Sequence, residues 1–359
     1  MASMYKYFLK PVLFLFPPDW THFFVVKFSS LIFKIPLLDK IISPLFTYNH
    51  PLLEREILGI KFKNPIGLGG GFDKDVELTH VMPILGFGFM DIGSITAKPY
   101  QGNKRPWNVR LPKDKALIVN YGLKNQGVDH AVQNLKQSKK QIPIIANIAK
   151  TNNPDIHGQA SVDDYLASFK KLEPYADLIN INISCPNTGD GVLFCEDSDL
   201  LANLLEALQK AHNESVYKKP ILLKLKPDLS DEQLNALLDL VGNYDCIKGF
   251  VVSNLTRSRE VLAHSNPEAI AKFPGGISGR GVQKLSTEMI KKIKVVVGDK
   301  YTIIGLGGVF TATDAYEKLQ AGADLIQLVT GLIFEGPSVV KEINKGLVKI
   351  WQRKEMNSF

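Results

Sequence analysis

Cys185 closes an apolar run, Leu178–Ser184, and is followed by Pro186. A free thiol titrates at about 8.5, so modest tuning lets it act as a base or a nucleophile near neutral pH. An inert buried cysteine is the competing reading of the same residue. Lys74 and Lys224 sit where apolar runs end. A lysine so placed can neutralise a carboxylate or stabilise an electron-rich ring during reduction. Asn120, Asn182, Asn187 and Asn254 add paired donors and acceptors. Such a set suits a planar ring bearing amides and carbonyls. Gly307, Gly308, Thr330 and Gly331 offer backbone N–H groups that can approach an anion, with tight strand-to-helix turns as the alternative.

These residues need a scaffold that gathers them. Short β-rich apolar runs alternate with helical patterns from about residue 54. Eight strands are predicted: Pro65–Gly69, Phe87–Ile95, Ile142–Ile148, Leu178–Ser184, Ile221–Lys226, Gly249–Asn254, Thr302–Gly307 and Leu325–Thr330. Helical segments between them include Val162–Leu172, Asp199–His212, Asp231–Leu240, Ser286–Val296 and Thr313–Ala321. Continuous apolar strands in alternation with helices predict a closed parallel (β/α)8 barrel. Catalytic groups of such barrels collect at the C-terminal strand ends, and the polar residues named above fall there. The turns after strands seven and eight form the usual phosphate corner. Arg55 to Lys63 reads as an extra hairpin turning at Gly59. No GxGxxG follows the first strand, so a dinucleotide-binding domain has no support.

Composition narrows the partners. The chain of 359 residues carries 43 Lys and Arg against 36 Asp and Glu, a formal charge of +7. That balance favours a phosphate-bearing cofactor, a carboxylate or an anionic membrane surface. No zinc-finger spacing or RNP-like aromatic motif points to nucleic acid. Three cysteines, Cys185, Cys195 and Cys246, are too few for a disulfide framework and suit a reducing compartment. None pair with CxxC spacing, so a thiolate metal site is not expected.

Residues 1–48 differ from the rest. They hold eight of the 19 Phe residues, and Lys or Asp interrupts the apolar sequence at least every nine residues up to Lys40. A membrane-spanning helix needs roughly 20 apolar residues in a row, so none is predicted. The expectation is a pair of short helices, Trp20 to Phe33 with Asp19 as its N-cap and about Leu37 to Leu45. Aromatic, mildly basic helices with little polar face suit a membrane interface. Packing on the main domain is the alternative. The division expected is therefore a helical, membrane-associating segment at 1–48 and a barrel at 49–359.

Gly67-Leu68-Gly69-Gly70-Gly71-Phe72-Asp73-Lys74-Asp75, Asn182-Ile183-Ser184-Cys185-Pro186-Asn187-Thr188, Gly276-Ile277-Ser278-Gly279-Arg280 and Ile304-Gly305-Leu306-Gly307-Gly308 resemble the motifs of dihydroorotate dehydrogenases. Pro17-Pro18-Asp19-Trp20-Thr21-His22 and Gly102-Asn103-Lys104-Arg105-Pro106, with Arg110, are similar to class 2, the quinone-dependent branch. The resemblance runs over nearly the whole chain. It implies an FMN enzyme that oxidises dihydroorotate to orotate in pyrimidine biosynthesis. A base removes the C5 proton, C6 delivers hydride to the flavin, and a membrane quinone takes the electrons. By matching motif the base falls on Cys185. Orotate ligands fall on Lys74, Asn120, Asn182, Asn187 and Asn254. FMN ligands fall on Gly70, Thr96, Asn147, Asn182, Lys224, Ser253, Gly279, Gly308 and Thr330. Quinone-site residues fall on His22 and Arg110.

The resemblance further implies a peripheral protein on a bilayer surface, acting as a monomer and without nucleic acid. The cytoplasmic face of a bacterial inner membrane is expected, since no Arg- and Ser-rich transit peptide is present; a mitochondrial inner membrane is the alternative. Four positions depart from the family. Class 2 enzymes usually have serine where Cys185 stands, and cysteine is typical of soluble class 1. The segment Asn120–Asn125 is one residue shorter than its family counterpart. Leu255 replaces a threonine, and Val329 replaces a tyrosine. Competing functions are fumarate- or NAD-linked oxidation of the same substrate, another FMN barrel acting on a pyrimidine-like ring, and a membrane-docked flavin-binding barrel without turnover.

Overall fold

The computed structural model describes residues 4–35, 37–188 and 193–356. In chain order the strands are β1 (Arg55–Ile57), β2 (Ile60–Phe62), β3 (Ile66–Leu68), β4 (Phe89–Ile95), β5 (Asn108–Leu111), β6 (Ala116–Val119), β7 (Ile144–Ile148), β8 (Leu178–Asn182), β9 (Ile221–Leu225), β10 (Ile247–Val252), β11 (Gly276–Gly279), β12 (Thr302–Leu306) and β13 (Leu325–Leu328). Eight of them, β3, β4, β7, β8, β9, β10, β12 and β13, close a parallel barrel. Ile326, Gln327 and Leu328 pair with Ile66, Gly67 and Leu68 to complete the ring. The eight predicted strands all lie in this barrel, so the (β/α)8 expectation holds.

Period-two alternation decides what fills the barrel. Phe89, Ile145, Leu178, Leu222, Val251, Ile304 and Leu325 point inward and form one apolar cluster with Phe62. Two residues further along their strands stand Asp91, Asn147, Asn180, Lys224 and Gln327, all buried. The interior therefore changes from apolar to polar toward the C-terminal strand ends. Gly67 makes room for the floor: a Cβ there would lie 2.4 Å from the Phe89 ring.

The β1–β2 hairpin turns at Gly59, with φ of 73°, as predicted. It carries Phe62 under the barrel, edge-on to Phe89 at 5.4 Å between centroids. Outside, amphipathic helices Gln159–Leu172, Ser198–Glu214, Asp231–Val241, Gln283–Val297 and Ala312–Gln320 cover the strands. Ser230 with Gln233 and Thr311 with Asp314 form capping boxes that start two of them. The helix Val339–Met356 completes the outer layer.

Three features correct the sequence reading. A small antiparallel sheet, β5–β6–β11, stands beside the barrel mouth. The N-terminal region begins with a helical stretch, Tyr5–Leu9 running into Lys10–Leu15, that was not predicted. The next helix runs Pro18–Ile32, so Pro17 holds the cap position and Asp19 lies inside the first turn. Asp19 is therefore no N-cap. Its carboxylate accepts a hydrogen bond from the Trp107 backbone N–H at 3.0 Å instead. Pro18 wins because its fixed φ suits the first helical position, where no N–H is needed. The last N-terminal helix runs Leu38–Phe46.

Phe62 seals the floor, so its truncation leaves a cavity that the β-barrel cannot collapse. Phe62→Ala should cost about 3–5 kcal/mol, read from urea unfolding. A loss below about 1 kcal/mol would show that the hairpin is no structural plug.

Candidate active site

The turns after the barrel strands line a cavity of about 1140 Å³, open solvent at its mouth included. Its wall includes Gly70, Lys74, Asn182, Cys185, Asn187, Lys224, Ser253, Asn254, Gly279, Gly308 and Thr330, and His22 from the N-terminal helix. Twelve of the sixteen positions assigned through the family resemblance thus reach one space. Thr96, Asn120, Asn147 and Arg110 do not line it.

A chain of amides ties the strand ends together. Ser94 Oγ donates to Asn147 Oδ1 at 2.5 Å, and Asn182 Nδ2 donates to Ser94 Oγ at 2.9 Å. Asn254 Nδ2 donates to Asn182 Oδ1 at 3.1 Å and to Ser184 Oγ at 3.2 Å. Ser184 Oγ donates in turn to the Lys224 carbonyl at 2.6 Å. Each amide orientation is fixed by the next, as a site that reads a planar ligand requires. Asn147 sits one layer behind the wall within this chain. Thr96 spends its hydroxyl on the Lys98 carbonyl at 2.6 Å and accepts from Asn125 Nδ2 at 2.7 Å, so it braces the wall from outside.

Beneath the wall lies Asp91. Its Oδ2 accepts from Asn180 at 2.8 Å, Gln327 at 3.3 Å and Asn147 at 3.4 Å. Burial pushes its carboxyl above the usual range, and the nearby Lys224 charge opposes that rise. Lys224 is 4% exposed, and no described residue accepts a hydrogen bond from its ammonium. Burial draws its pKa down, while Asp91 and Cys185 pull it up. A buried cation facing an empty wall is a place for an electron-rich or anionic group. Across the mouth, Gly71 has φ of 103° and nothing within 4 Å of where a Cβ would point. The backbone there is open to a ligand.

Cys185 is half-buried, and burial raises its thiol pKa; the Asn187 backbone N–H and the charges of Lys224 and Arg257 act the other way. Cys195 and Cys246 are buried away from the cavity, with thiols pushed up to about 12 by burial, in keeping with packing roles. Lys74 Nζ donates to the Gly71 carbonyl at 2.6 Å and lies 3.9 Å from the Tyr121 ring centroid. Burial brings it down to about 8, against the pull of Asp75. His22 Nε2 is 3.4 Å from that ammonium, and its ring packs edge-on to Phe72. Burial first, and the Lys74 charge second, hold His22 well below the ordinary histidine range. It stands at the mouth as a neutral imidazole.

Asn120 belongs to a neighbouring recess: its Oδ1 accepts from Asn103 Nδ2 at 3.1 Å. Val119 and Tyr121, its neighbours, line the main cavity. Strand β6 ends at Val119, and alternation across that end sends Asn120 to the other side. Arg110 reaches the N-terminal helices. Its guanidinium donates to the Phe16 carbonyl at 2.8 Å and to those of Leu13 and Phe14 at 3.4 Å, over the Phe14 ring. Ser94, Phe72 and Tyr121 are wall residues that the sequence reading missed. Ser94 was findable, because it shares β4 with Asp91 and leads toward the C-terminal end.

A sequence model of the dihydroorotate dehydrogenase family matches residues 52–351. The chain belongs to the dihydroorotate dehydrogenase family. It is 41% identical to a dihydroorotate dehydrogenase (quinone) of Christiangramia forsetii over 347 residues, covering 96% of this chain and 99% of that one. A dihydroorotate dehydrogenase (quinone) of Trichodesmium erythraeum is 37% identical over 375 residues, covering 100% and 97%. The crystal structure of an Eimeria tenella DHODH in complex with ferulenol is similar with a TM-score of 0.83 at 26% identity, over 96% of this chain and 95% of that one. Cys185, Leu255 and Val329, the three side chains read from the sequence as departing from the family pattern, all lie in the cavity wall.

Arg110 fastens the turn between the first two N-terminal helices, and Arg110→Met should free it. Limited chymotrypsin digestion should then cut within residues 4–46 several-fold faster, with the circular dichroism of the barrel unchanged. An unaltered cleavage rate would show that the guanidinium carries none of this attachment.

Proposed function

We propose that the protein oxidises dihydroorotate to orotate at this cavity with FMN, and that a membrane quinone takes the electrons. The observation that carries the reading is the joining of Cys185, the three amides Asn182, Asn187 and Asn254, and the Lys224 ammonium, unbonded among the described residues, in one space, in a chain of this family. The flavin would be held by Gly70, Lys224, Ser253, Gly279, Gly308 and Thr330, all of which line the cavity. Bound there, FMN supplies the acceptor for the substrate's hydride and the relay to the quinone.

Cys185 supplies the base. Its thiolate takes the C5 proton as the C6 hydride leaves, so the ring loses two electrons and two hydrogens and gains a double bond. Lys74 and the amides bind and orient the ring, and Lys224 offers positive charge where reduction accumulates electrons. Asn182 and Asn254 share a hydrogen bond, so substrate oxygen and N–H groups meet fixed partners.

The N-terminal helices form the quinone side. They bring His22 to the cavity beside apolar Leu117, Val309, Val329 and Ile333. Their outer face is a field of exposed apolar residues: Leu15 is 82% exposed, Leu31 71% and Ile41 70%, with Tyr7, Phe8, Trp20, Phe23, Phe24 and Phe28 among them. So large an apolar surface suits a lipid boundary. No helix of the described residues is long and apolar enough to cross a membrane. The three cysteines are free, which suits the reducing, cytoplasmic side of a bacterial inner membrane. We take the protein to act as a monomer.

Two expectations follow. Cys185→Ala should slow flavin reduction by dihydroorotate by about a hundredfold or more in stopped flow, the scale of a lost general base. The thiol pKa is raised by burial, and the active form is the deprotonated one. Wild-type reduction should therefore accelerate as pH rises, with its limb on the alkaline side. A hydroxyl is the weaker acid, so Cys185→Ser should keep activity with the limb moved higher still. Unchanged reduction in the Ala variant would remove Cys185 from the base role.

The second concerns the outer face. Phe24→Glu combined with Leu31→Glu should weaken co-sedimentation with phospholipid vesicles. It should lower turnover with vesicle-borne ubiquinone several-fold while sparing turnover with a soluble dye. Equal losses with both acceptors would undo the lipid-facing assignment.

A further inference from the structure

A second recess, of about 1340 Å³ including open solvent, adjoins the cavity at Asn187. Asn187 lines both spaces and is the partition between them. Its Nδ2 donates to the Val119 carbonyl at 2.9 Å, and its Oδ1 accepts from the Gly276 N–H at 3.2 Å. Lys104, Arg257 and Arg259 line the recess, and no acidic residue does so among the described residues.

The two arginines are not equivalent. Arg259 spends its guanidinium on the carbonyls of Phe273 and Gly275, at 2.9 Å each, and so braces the recess wall. Arg257 donates to the Pro186 carbonyl, one residue from Cys185, and its other nitrogens are not engaged by any described residue. A guanidinium has five N–H donors, so among the described residues most of this one is unspent and can meet an anion. Lys104 is exposed at the outer edge.

The cavity must admit two reactants of opposite character. One is apolar and meets the N-terminal helices. The other carries a carboxylate, and a concave surface with cations of one sign raises the local concentration of such an anion. We propose that the recess is the capture site for the substrate's carboxylate outside the cavity, with Arg257 as the residue that draws it toward Asn187. This rests on the functional reading above. Capture separates the routes of the two reactants: the anion arrives over arginine and lysine, the quinone over phenylalanine and leucine.

The test is the salt dependence of flavin reduction in the flavin-loaded, full-length protein. Stopped-flow reduction by dihydroorotate gives a second-order constant, measured from about 0.02 M to about 0.5 M ionic strength, where screening shortens from tens of ångströms to a few. Arg257→Gln should lower the constant about fivefold at low ionic strength, and the gap should close at high ionic strength. Lys104→Gln should lower it about twofold in the same way. Arg257→Lys keeps the charge and should keep most of the wild-type slope. Reoxidation by ubiquinone should be unaltered in all three. An Arg257→Gln protein with the wild-type salt slope would overturn the proposal. So would an Arg257→Lys protein that loses as much as Arg257→Gln at every ionic strength, since only the bond to the Pro186 carbonyl would then matter. A wild-type flavin that dihydroorotate never reduces would instead overturn the functional reading, and this one with it.

Discussion

One carboxylate organises the upper half of the barrel. Asp91 stands two residues beyond Phe89 on the same strand, at the level where the interior stops being apolar. Its Oδ2 gathers Asn147, Asn180 and Gln327 from three other strands. A buried charge is costly unless it is bonded or neutralised. That cost accounts for the amides around it and for the cation above it, Lys224. The amide chain through Ser94, Asn182 and Asn254 is built on this layer and ends at the residues facing the cavity. The floor supplies stability, and the polar layer fixes the orientation of the groups that meet a ligand.

The barrel was legible because its strands are buried on both faces. Ile144–Ile148 and Ile221–Leu225 are wholly buried, so they read as short continuous apolar runs. The β5–β6–β11 sheet was not legible. Asn108–Leu111 is half-buried with no clean alternation, and Gly276–Gly279 pairs with Ala116–Val119 from far along the chain. Non-local pairing leaves no periodic mark on either segment. The stretch Tyr5–Leu15 escaped because it exposes apolar residues on most sides, and helical periodicity needs a polar face to show.

Which side chains face the cavity was legible where residues follow a strand directly. Lys224, Asn182 and Ser253 are placed by alternation, and the cavity contains them. It was read less well where a side chain's direction depends on a turn. Asn120 leaves β6 on the side of Asn103, and Arg110 meets the carbonyls of a helix turn. Residue type and family resemblance suggested a ligand at Asn120, and the resemblance alone did so at Arg110. Backbone direction, which one sequence does not encode locally, turns both side chains away from the cavity.

The β1–β2 hairpin gives the molecule a cup shape. With Phe62 beneath Phe89, nothing passes along the barrel axis, so every reactant and product crosses the same rim. The rim is made of turns and of the helix Pro18–Ile32, none of which bears the packing load of the base. Substitutions there can change which molecules cross and in what order without weakening the vessel that holds the chemistry. A cysteine or a serine, a leucine or a threonine, can be exchanged at the lip while the bowl stays the same.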